Sequence, residues 1–290
     1  MKHAALILSM LIGVVLPFGD QLTFMVRYLV MGMLFFAYLD IKISRNIITK
    51  SHFLILLANI LIAFVFYFIF LPFNPELAVI AFITGIMPTA AAAPAIISYL
   101  EGKVAFVTFS VVLTNSVIAL IIPFVLPSMV SGDISLNVLD ILAPVLSVVF
   151  IPLLLSWMVK RFLPVVQPHL LKIKGLSFIM FNLNIYIATS TATRFIMEGS
   201  SAITILNWIA IMALFICVTS FAIGKWIGKN TNPEESRQAL GRKNTMFSIW
   251  IALTYLSPLA ALGPMFYILW HNLYNSYQIY RLGQKKKLKV

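Results

Sequence analysis

The sequence predicts an all-α polytopic membrane protein with ten transmembrane helices in two inverted five-helix repeats. Three observations predict this class: the composition, ten long apolar runs, and interruptions in matching runs of the two halves. Of the 290 residues, 61% are hydrophobic and 10% are charged, whereas a soluble domain has about 45–50% apolar and about 25% charged residues. A soluble fold could not enclose so much apolar surface, so the composition excludes a soluble enzyme, a disordered chain and a nucleic-acid-binding domain.

Ten runs approach the roughly 20 mostly apolar residues that a spanning helix needs. They lie at 4–19, 22–40, 52–71, 77–100, 103–126, 136–160, 175–193, 201–228, 234–257 and 259–280. The first run follows Lys2 and could be read as a signal peptide. It lacks a small-residue cleavage site and continues into Leu16 and Pro17, so we expect a retained helix. The longest polar stretch, 229–237, leaves no room for an ATP-binding module.

The basic residues predict the orientation of the chain. The formal charge of +12 comes from 21 Lys and Arg against 9 Asp and Glu. Most of the basic residues fall at the termini and in the loops after even-numbered runs, which the positive-inside rule makes cytoplasmic. They are Lys2, Lys42, Arg45, Lys50, Lys103, Lys160, Arg161, Lys172, Lys174, Lys225, Lys229, Arg237, Arg281, Lys285, Lys286, Lys287 and Lys289. The opposite side has Arg194, Asp20, Glu76, Asp133 and Glu198. We therefore expect a multi-pass protein of the cell inner or plasma membrane with both termini cytoplasmic.

Two runs are interrupted at corresponding positions of the two halves. The fourth contains Gly85, Pro88 and Pro94, and the ninth contains the polar cluster that begins at Gly241. A helix rarely continues through two prolines, because proline lacks a backbone donor and clashes with the preceding turn. Broken helices in matching halves are typical of inverted-repeat secondary transporters. The alternative is a pair of kinks in an ordinary bundle. We expect Pro88, Pro94 and Gly241 to mark helix breaks that cross and form a binding site.

Lys243 is the most informative residue of the ninth run. It lies roughly nine residues into that run, which corresponds to about 13 Å along a helix. A lysine at bilayer depth costs several kcal/mol unless it is paired or hydrated. Either it has a role in transport, or its long side chain snorkels to the headgroups, as we expect for Arg237 and allow for Arg242.

Other polar residues within the runs are weaker candidates for substrate binding. Asn244 and Thr245 follow Lys243, Asn115 lies midway along the fifth helix, and His271 and Asn272 lie midway along the tenth. For Asn115 and His271 the alternative is a packing or hydrogen-bonding role between helices, which is usual for polar side chains in membrane bundles. Asn244 and Thr245 are expected to line the break.

The motifs at these positions resemble the bile acid:sodium symporter family. The segment 87–95 (MPTAAAAPA) followed by Glu101 and Gly102 resembles the fourth helix of that family, and 241–245 (GRKNT) and 270–276 (WHNLYNS) resemble its ninth and tenth helices. The match is strongest over 85–125 and 238–280. The resemblance implies repeats at 1–130 and 131–290, a panel of helices 1, 2, 6 and 7, and a core of helices 3–5 and 8–10 in which helices 4 and 9 cross.

The resemblance also implies transport of organic anions, often driven by sodium, and here the sequence departs from the family. Ala239 stands where sodium-coupled members have a carboxylate, Lys243 where they have glutamine, and Ala93 and Pro94 where a Ser-Asn pair helps to bind sodium. Both sodium sites thus lack oxygen ligands, so sodium is doubted and no cofactor is expected. A related branch, the arsenite exporters, uses a cysteine in the fourth helix, whereas Cys217 falls in the eighth.

The sequence therefore predicts a secondary transporter of small organic anions that works by alternating access. We expect it to be sodium-independent or proton-coupled through Lys243, since burial disfavours the charged form of an amine. The resemblance to the symporter family implies Asn244, Thr245 and Asn272 as substrate contacts, with Thr89 as a weaker one. Asn115 and His271 are further candidates. A sodium-coupled symporter and an anion channel on the same scaffold are the alternatives, and an enzyme is not expected. The expected partners are the lipid bilayer and the anion, with the chain monomeric or a weak dimer. Bile acids, keto acids and vitamin precursors are not distinguished.

Overall fold

The computed structural model describes residues 2–40, 47–129, 137–198 and 203–287. These residues form thirteen α-helices, one 3-10 helix (Gly19–Leu22) and no strand. The helices are α1 (Lys2–Val15), α2 (Thr23–Asp40), α3 (Lys50–Phe70), α4 (Pro75–Gly85), α5 (Ala93–Tyr99), α6 (Val104–Met129), α7 (Val138–Phe162), α8 (Val166–Lys172), α9 (Leu176–Glu198), α10 (Ile203–Ile227), α11 (Pro233–Gly241), α12 (Thr245–Tyr255) and α13 (Pro258–Lys287).

Five helical segments of the described chain are long and apolar enough to cross a membrane. They are Gly19–Asp40, Lys50–Phe70, Val104–Met129, Val138–Phe162 and Ile205–Ile227. A sixth is added if α8 and α9, which meet at a bend of 49°, are counted as one span. The prediction of an all-helical, membrane-embedded protein is confirmed. Ten spans in two inverted repeats, and the division into panel and core, stay predictions.

The remaining predicted spans do not form single long apolar helices. The run 77–100 is divided between α4 and α5, and the run 234–257 between α11 and α12. At the start of the chain, α1 ends at Val15, two residues before Pro17. The run 259–280 lies inside α13, whose central turns carry His271, Asn272 and Asn275. Prolines and polar clusters therefore explain why five or six long apolar helices are found where ten apolar runs were predicted.

Several helices begin at side chains that cap them. The Asn74 side chain accepts the Leu77 N–H at 2.9 Å, and Pro75 occupies the first turn of α4. Thr49 and His52 form a reciprocal capping pair at the start of α3. These caps satisfy backbone N–H groups that have no partner within their own helix.

The helices pack in two sets that meet along α6, α9 and α13. In one set, α2 packs on α7 and α9, and α1 packs on α9. In the other, α3 packs on α4, α10 packs on α11 and α13, and α12 packs on α13. Helices α6 and α7 pack on each other, as do α9 and α13. The broken pairs α4–α5 and α11–α12 belong to the second set.

Ion pairs join α9 to the 3-10 helix before α2, and join the end of α2 to the short segment before α9. Arg194 contacts Asp20 at 2.7 Å and Glu198 at 2.8 Å, and Lys174 contacts Asp40 at 3.0 Å. Arg194, Asp20 and Glu198 were all predicted to lie on the side of the membrane opposite the cytoplasm. Of the residues used for the orientation, Lys42, Arg45, Asp133 and Lys289 lie outside the described part of the chain, as do the side chains of Lys2 and of 285–287.

Candidate functional site

The two helix breaks meet in space. Thr89 and Lys243 form an isolated antiparallel bridge. The Ala90 N–H donates to the Arg242 carbonyl at 2.8 Å, and the Asn244 N–H donates to the Pro88 carbonyl at 2.6 Å. Opened backbone within a membrane is tolerated only where its polar groups find partners in protein or water. Here each break supplies partners for the other, and we call this region (86–92 with 242–244) the crossing.

Side chains of α6 and of the crossing itself, together with a backbone carbonyl of α11, hold the crossing together. The Asn115 amide donates to the Thr89 carbonyl at 2.9 Å, and its oxygen accepts the Asn244 amide at 3.0 Å. The Thr89 hydroxyl donates to the Ala239 carbonyl at 2.6 Å, while its backbone N–H donates to Thr114 at 2.9 Å. These side chains therefore bond to the crossing itself, and for Asn115 this is the helix-bonding alternative that the sequence left open.

Lys243 points inward from the crossing and is 1% exposed. Its ammonium donates to the Asn59 side-chain oxygen, to the Gly85 carbonyl at 2.8 Å and to the Met87 carbonyl at 3.4 Å. Three acceptors match the three protons of an ammonium group. The same Asn59 side chain donates to the Ile86 and Met87 carbonyls, each at 3.0 Å. The Lys243 ammonium thus hydrogen-bonds to carbonyls at the C-terminal end of α4 and is not directed to the headgroups.

Two glycines allow the close approach of neighbouring helices. A Cβ atom on Gly85 would lie 2.7 Å from the Ala63 Cα atom, so only glycine fits where α4 passes α3. A Cβ atom on Gly241 would overlap the ring of Phe221 on α10. Pro88 supplies a carbonyl to the crossing, and Pro94 occupies the first turn of α5, where a missing backbone donor costs nothing.

Arg242 lies next to Lys243 without the contacts that satisfy the lysine. Its Nε and Nη1 atoms are buried and have no hydrogen-bond partner within the described part of the chain. On α13, the Nδ1 atom of His271 is also buried and has no hydrogen-bond partner among the described residues. The Arg242 side chain as a whole is half-buried, and the snorkelling that the sequence allowed for it stays a prediction. Arg237 is paired with Glu234 at 2.8 Å.

A row of polar side chains on α13 faces α11. Tyr267 donates to the Gly241 carbonyl at 2.7 Å, and its ring packs against that of His271 with centroids 5.6 Å apart. Further along, the Gln238 amide donates to Asn275 at 2.9 Å and to Gln278 at 2.8 Å. Gln278 in turn donates to Glu234 at 3.2 Å, at the start of α11. The row thus connects the crossing with the partly exposed carboxylate of Glu234.

The other predicted residues lie close to this region. Thr245 is the first residue of α12 and is buried. Asn272 is half-buried on α13, where its carbonyl accepts the Ser276 hydroxyl at 2.9 Å. The structure therefore gathers Thr89, Asn115, Lys243 and Asn244 at the crossing. His271 packs on Tyr267, which bonds to the Gly241 carbonyl next to the crossing.

Sequence reasoning missed Asn59 and Tyr267 as contributors to the site, and it did not foresee the carbonyl contact of Gly85. Asn59 had a signal, because it is the only amide side chain in the run 52–71. Gly85 was noted for its position in the fourth run, but its carbonyl contact depends on where Lys243 points. Tyr267 had no signal, since a tyrosine in an apolar helix is usually a packing residue.

The amide and carbonyl oxygens around Lys243 are of a kind that also coordinates sodium ions in proteins. Asn59 and the carbonyls of Gly85 and Met87 already accept the ammonium. Ala93, Pro94 and Ala239 add no side-chain oxygen, and the Ala239 carbonyl accepts Thr89. The residues therefore do not fit sodium at this place. Among the described residues, no group of three His, Cys, Asp or Glu side chains could hold a metal ion.

Two surface grooves lie apart from the crossing. One is lined mainly by apolar side chains of α3 and α10, and the other lies among α10, α11 and α13, with Lys225 and Arg237 at its edge. Neither is lined by Arg242, Lys243 or Thr89. The candidate site therefore rests on the contacts of the crossing.

No family model and no curated protein matches this chain. The resemblance to the bile acid:sodium symporter family therefore rests on the motifs and stays a prediction.

Proposed function

We propose that this protein is a secondary transporter of small organic anions, similar in scaffold to the bile acid:sodium symporters and independent of sodium. The observation that carries the proposal is the position of Lys243. Its side chain is enclosed between two interrupted helical segments and bonded to three uncharged oxygens. A cation held by neutral groups leaves a net positive charge at the crossing, and an anionic substrate would complement that charge.

Backbone dipoles near the crossing add to this effect. Helix α12 begins at Thr245, immediately after the crossing, and has eleven residues. The N-terminus of a helix carries partial positive charge and free N–H groups, which favour anions. Broken helices in transporters direct such ends at anionic groups of the substrate. The crossing therefore combines a fixed ammonium with a helix end of the same sign.

Lys243 takes the structural place that a coupling cation would occupy. A sodium ion bound at the crossing could be released in each cycle, whereas the ammonium is tethered to the chain. If the lysine keeps its proton, the protein works as a uniporter or exchanger. If it releases the proton during the cycle, transport is proton-coupled. The proposed setting is the cell inner or plasma membrane, with both termini cytoplasmic.

Transport in reconstituted proteoliposomes tests the proposal. We expect saturable uptake of a carboxylate that shows counterflow and is unchanged when choline replaces sodium at fixed pH. Lys243→Gln is expected to abolish transport or its proton dependence, while Lys172→Gln, at an exposed position, serves as the matched control. Uptake that rises steeply with sodium would instead support a sodium-coupled symporter. Current without counterflow would support an anion channel.

A further inference from the structure

Arg242 carries a second positive charge at the crossing, and the proposed function does not use it. Two of its guanidinium nitrogens, Nε and Nη1, are buried without hydrogen-bond partners. The Arg242 side chain as a whole is half-buried. A buried nitrogen of a cationic group is costly to leave without a partner, unless a counter-ion or water joins it. Lys243 is satisfied by oxygens of the chain, but these two nitrogens of the neighbouring guanidinium are not. Arg242 is therefore a group with unused capacity to bind an anion.

Five acidic side chains of the described residues bond to groups other than Arg242. Asp20 and Glu198 bond to Arg194, and Asp40 bonds to Lys174. Glu234 pairs with Arg237, and Glu235 accepts the backbone N–H of Lys103 at 2.8 Å. The residues that follow Arg242 in the chain, Lys243 and Asn244, use their side-chain polar groups to bond to other residues of the site.

His271 gives a second, independent observation at the same place. The residue is 4% exposed, and its Nδ1 atom has no partner among the described residues. Its ring packs against Tyr267, which is fixed by a hydrogen bond to the Gly241 carbonyl, one residue before Arg242. The imidazole is thereby held, through Tyr267, at the chain segment that leads into Arg242, with an open hydrogen-bonding position at Nδ1.

We propose that Arg242 is the substrate-specifying residue, which binds the carboxylate of a monocarboxylate substrate with His271 as a second donor. The planar guanidinium fork matches a carboxylate, and a charge-assisted hydrogen bond is about twice as strong as a neutral one. In the tautomer with hydrogen on Nδ1, His271 donates to the same group. This inference rests on the proposed function, and it assigns Thr89, Asn115 and Asn244 to positioning the backbone that carries Arg242.

A binding measurement that does not depend on transport tests this role. The purified full chain in detergent is heated with pyruvate, benzoate or cholate, and in parallel with the amide of each acid. A ligand that binds the native state raises the unfolding temperature. We expect stabilisation by at least one acid and none by its amide.

Substitutions at Arg242 then identify the group that binds the charge. Arg242→Gln is expected to weaken binding of the acid about 10- to 100-fold, as the loss of a charged hydrogen bond implies. The affinity of Arg242→Lys for the acid should lie between those of the wild type and Arg242→Gln. Lysine keeps the positive charge but lacks the planar, two-pronged donor geometry of the guanidinium. Arg281→Gln, at an exposed position on α13, is the control. The Arg242 backbone carbonyl still accepts Ala90 in each variant, and removing an unpartnered guanidinium should leave the unliganded protein at least as stable.

The outcomes separate the two proposals. Unchanged affinity of Arg242→Gln for the acid, or equal stabilisation by acid and amide, would overturn the role of Arg242 alone, and uptake by wild-type vesicles would still support transport. If no acid stabilises the wild type and none is taken up by its vesicles, both proposals fail.

Discussion

The crossing is built at residue scale by small side chains and by side chains with several hydrogen-bonding positions. Gly241 lies where a Cβ atom would overlap the Phe221 ring, so α11 can pass α10 closely only at a glycine. Phe221 is itself buried and packs on Tyr274, with ring centroids 4.3 Å apart. A phenylalanine packed on both sides cannot move far, so the glycine fixes the distance between the two helices.

Replacing Gly241 by alanine should therefore destabilise the protein. Forcing an extra carbon into a packed region costs about 1–3 kcal/mol, because neighbouring groups must shift. Thermal unfolding in detergent measures the effect. Gly175→Ala is the control, since nothing lies within 4 Å of a Cβ atom there. Equal unfolding temperatures for Gly241→Ala and the wild type would contradict the close packing of α10 and α11.

At the scale of elements, Lys243 joins three helical segments that are distant in the chain. Its ammonium contacts Asn59 of α3 and the carbonyls at and beyond the end of α4, while its backbone leads into α12. Asn59 also donates to the Ile86 and Met87 carbonyls. These groups act as one unit, so the loss of one leaves the others without partners in a low-dielectric environment.

A double-mutant cycle should reveal this coupling. Asn59→Leu leaves the ammonium and two carbonyls short of partners, and breaking a buried charged contact costs about 3–5 kcal/mol. Lys243→Met leaves acceptors unsatisfied, at about 1–3 kcal/mol for each buried group. The double variant is expected to cost less than the sum, by about 0.5–3 kcal/mol, since each change removes the other's unsatisfied partner.

Chemical unfolding of the four proteins in detergent gives the cycle. Asn59→Leu combined with Lys172→Met provides the comparison, because Lys172 is exposed on α8. Strict additivity of Asn59 and Lys243 would show that their contact does not contribute to stability.

For the whole molecule, the charges predict how the chain lies in the membrane. Residues assigned to one side by the positive-inside rule also lie together in the fold, as the contacts of Arg194 with Asp20 and Glu198 show. The loop after α3, which contains the exposed Phe73, should then face outward. Lys172, at the end of α8, should face the cytoplasm.

Labelling of single cysteines tests this orientation. Cys217 is buried and is the only cysteine of the chain, so Cys217→Ala provides a background without thiols. In intact spheroplasts, a membrane-impermeant maleimide should label Phe73→Cys and spare Lys172→Cys until the membrane is opened. Labelling of Lys172→Cys in intact spheroplasts, with Phe73→Cys protected, would mean that the orientation is reversed.

Much of the fold followed from local properties of the sequence. The apolar runs located α2, α3, α6, α7 and α10 to within a few residues, and the prolines and the polar cluster located the breaks in the fourth and ninth runs. The site was predicted less completely. Lys243 was recognised as costly, but Asn59 and Tyr267 were not linked to it, and for Arg242 snorkelling was allowed without being decided.

The sequence by itself determined that the chain is helical, that it belongs in a membrane, and where two of its helices are interrupted. These properties follow from hydrophobicity and backbone chemistry, which act on residues close together in the chain. Only the tertiary structure decided that the two breaks bond to each other, and that Asn59 and the end of α4 satisfy Lys243. It also decided that two nitrogens of Arg242 have no partner among the described residues. Those outcomes depend on contacts across 150 or more residues, as between Thr89 and Ala239, because a buried polar group is satisfied by whichever neighbour the packing brings to it.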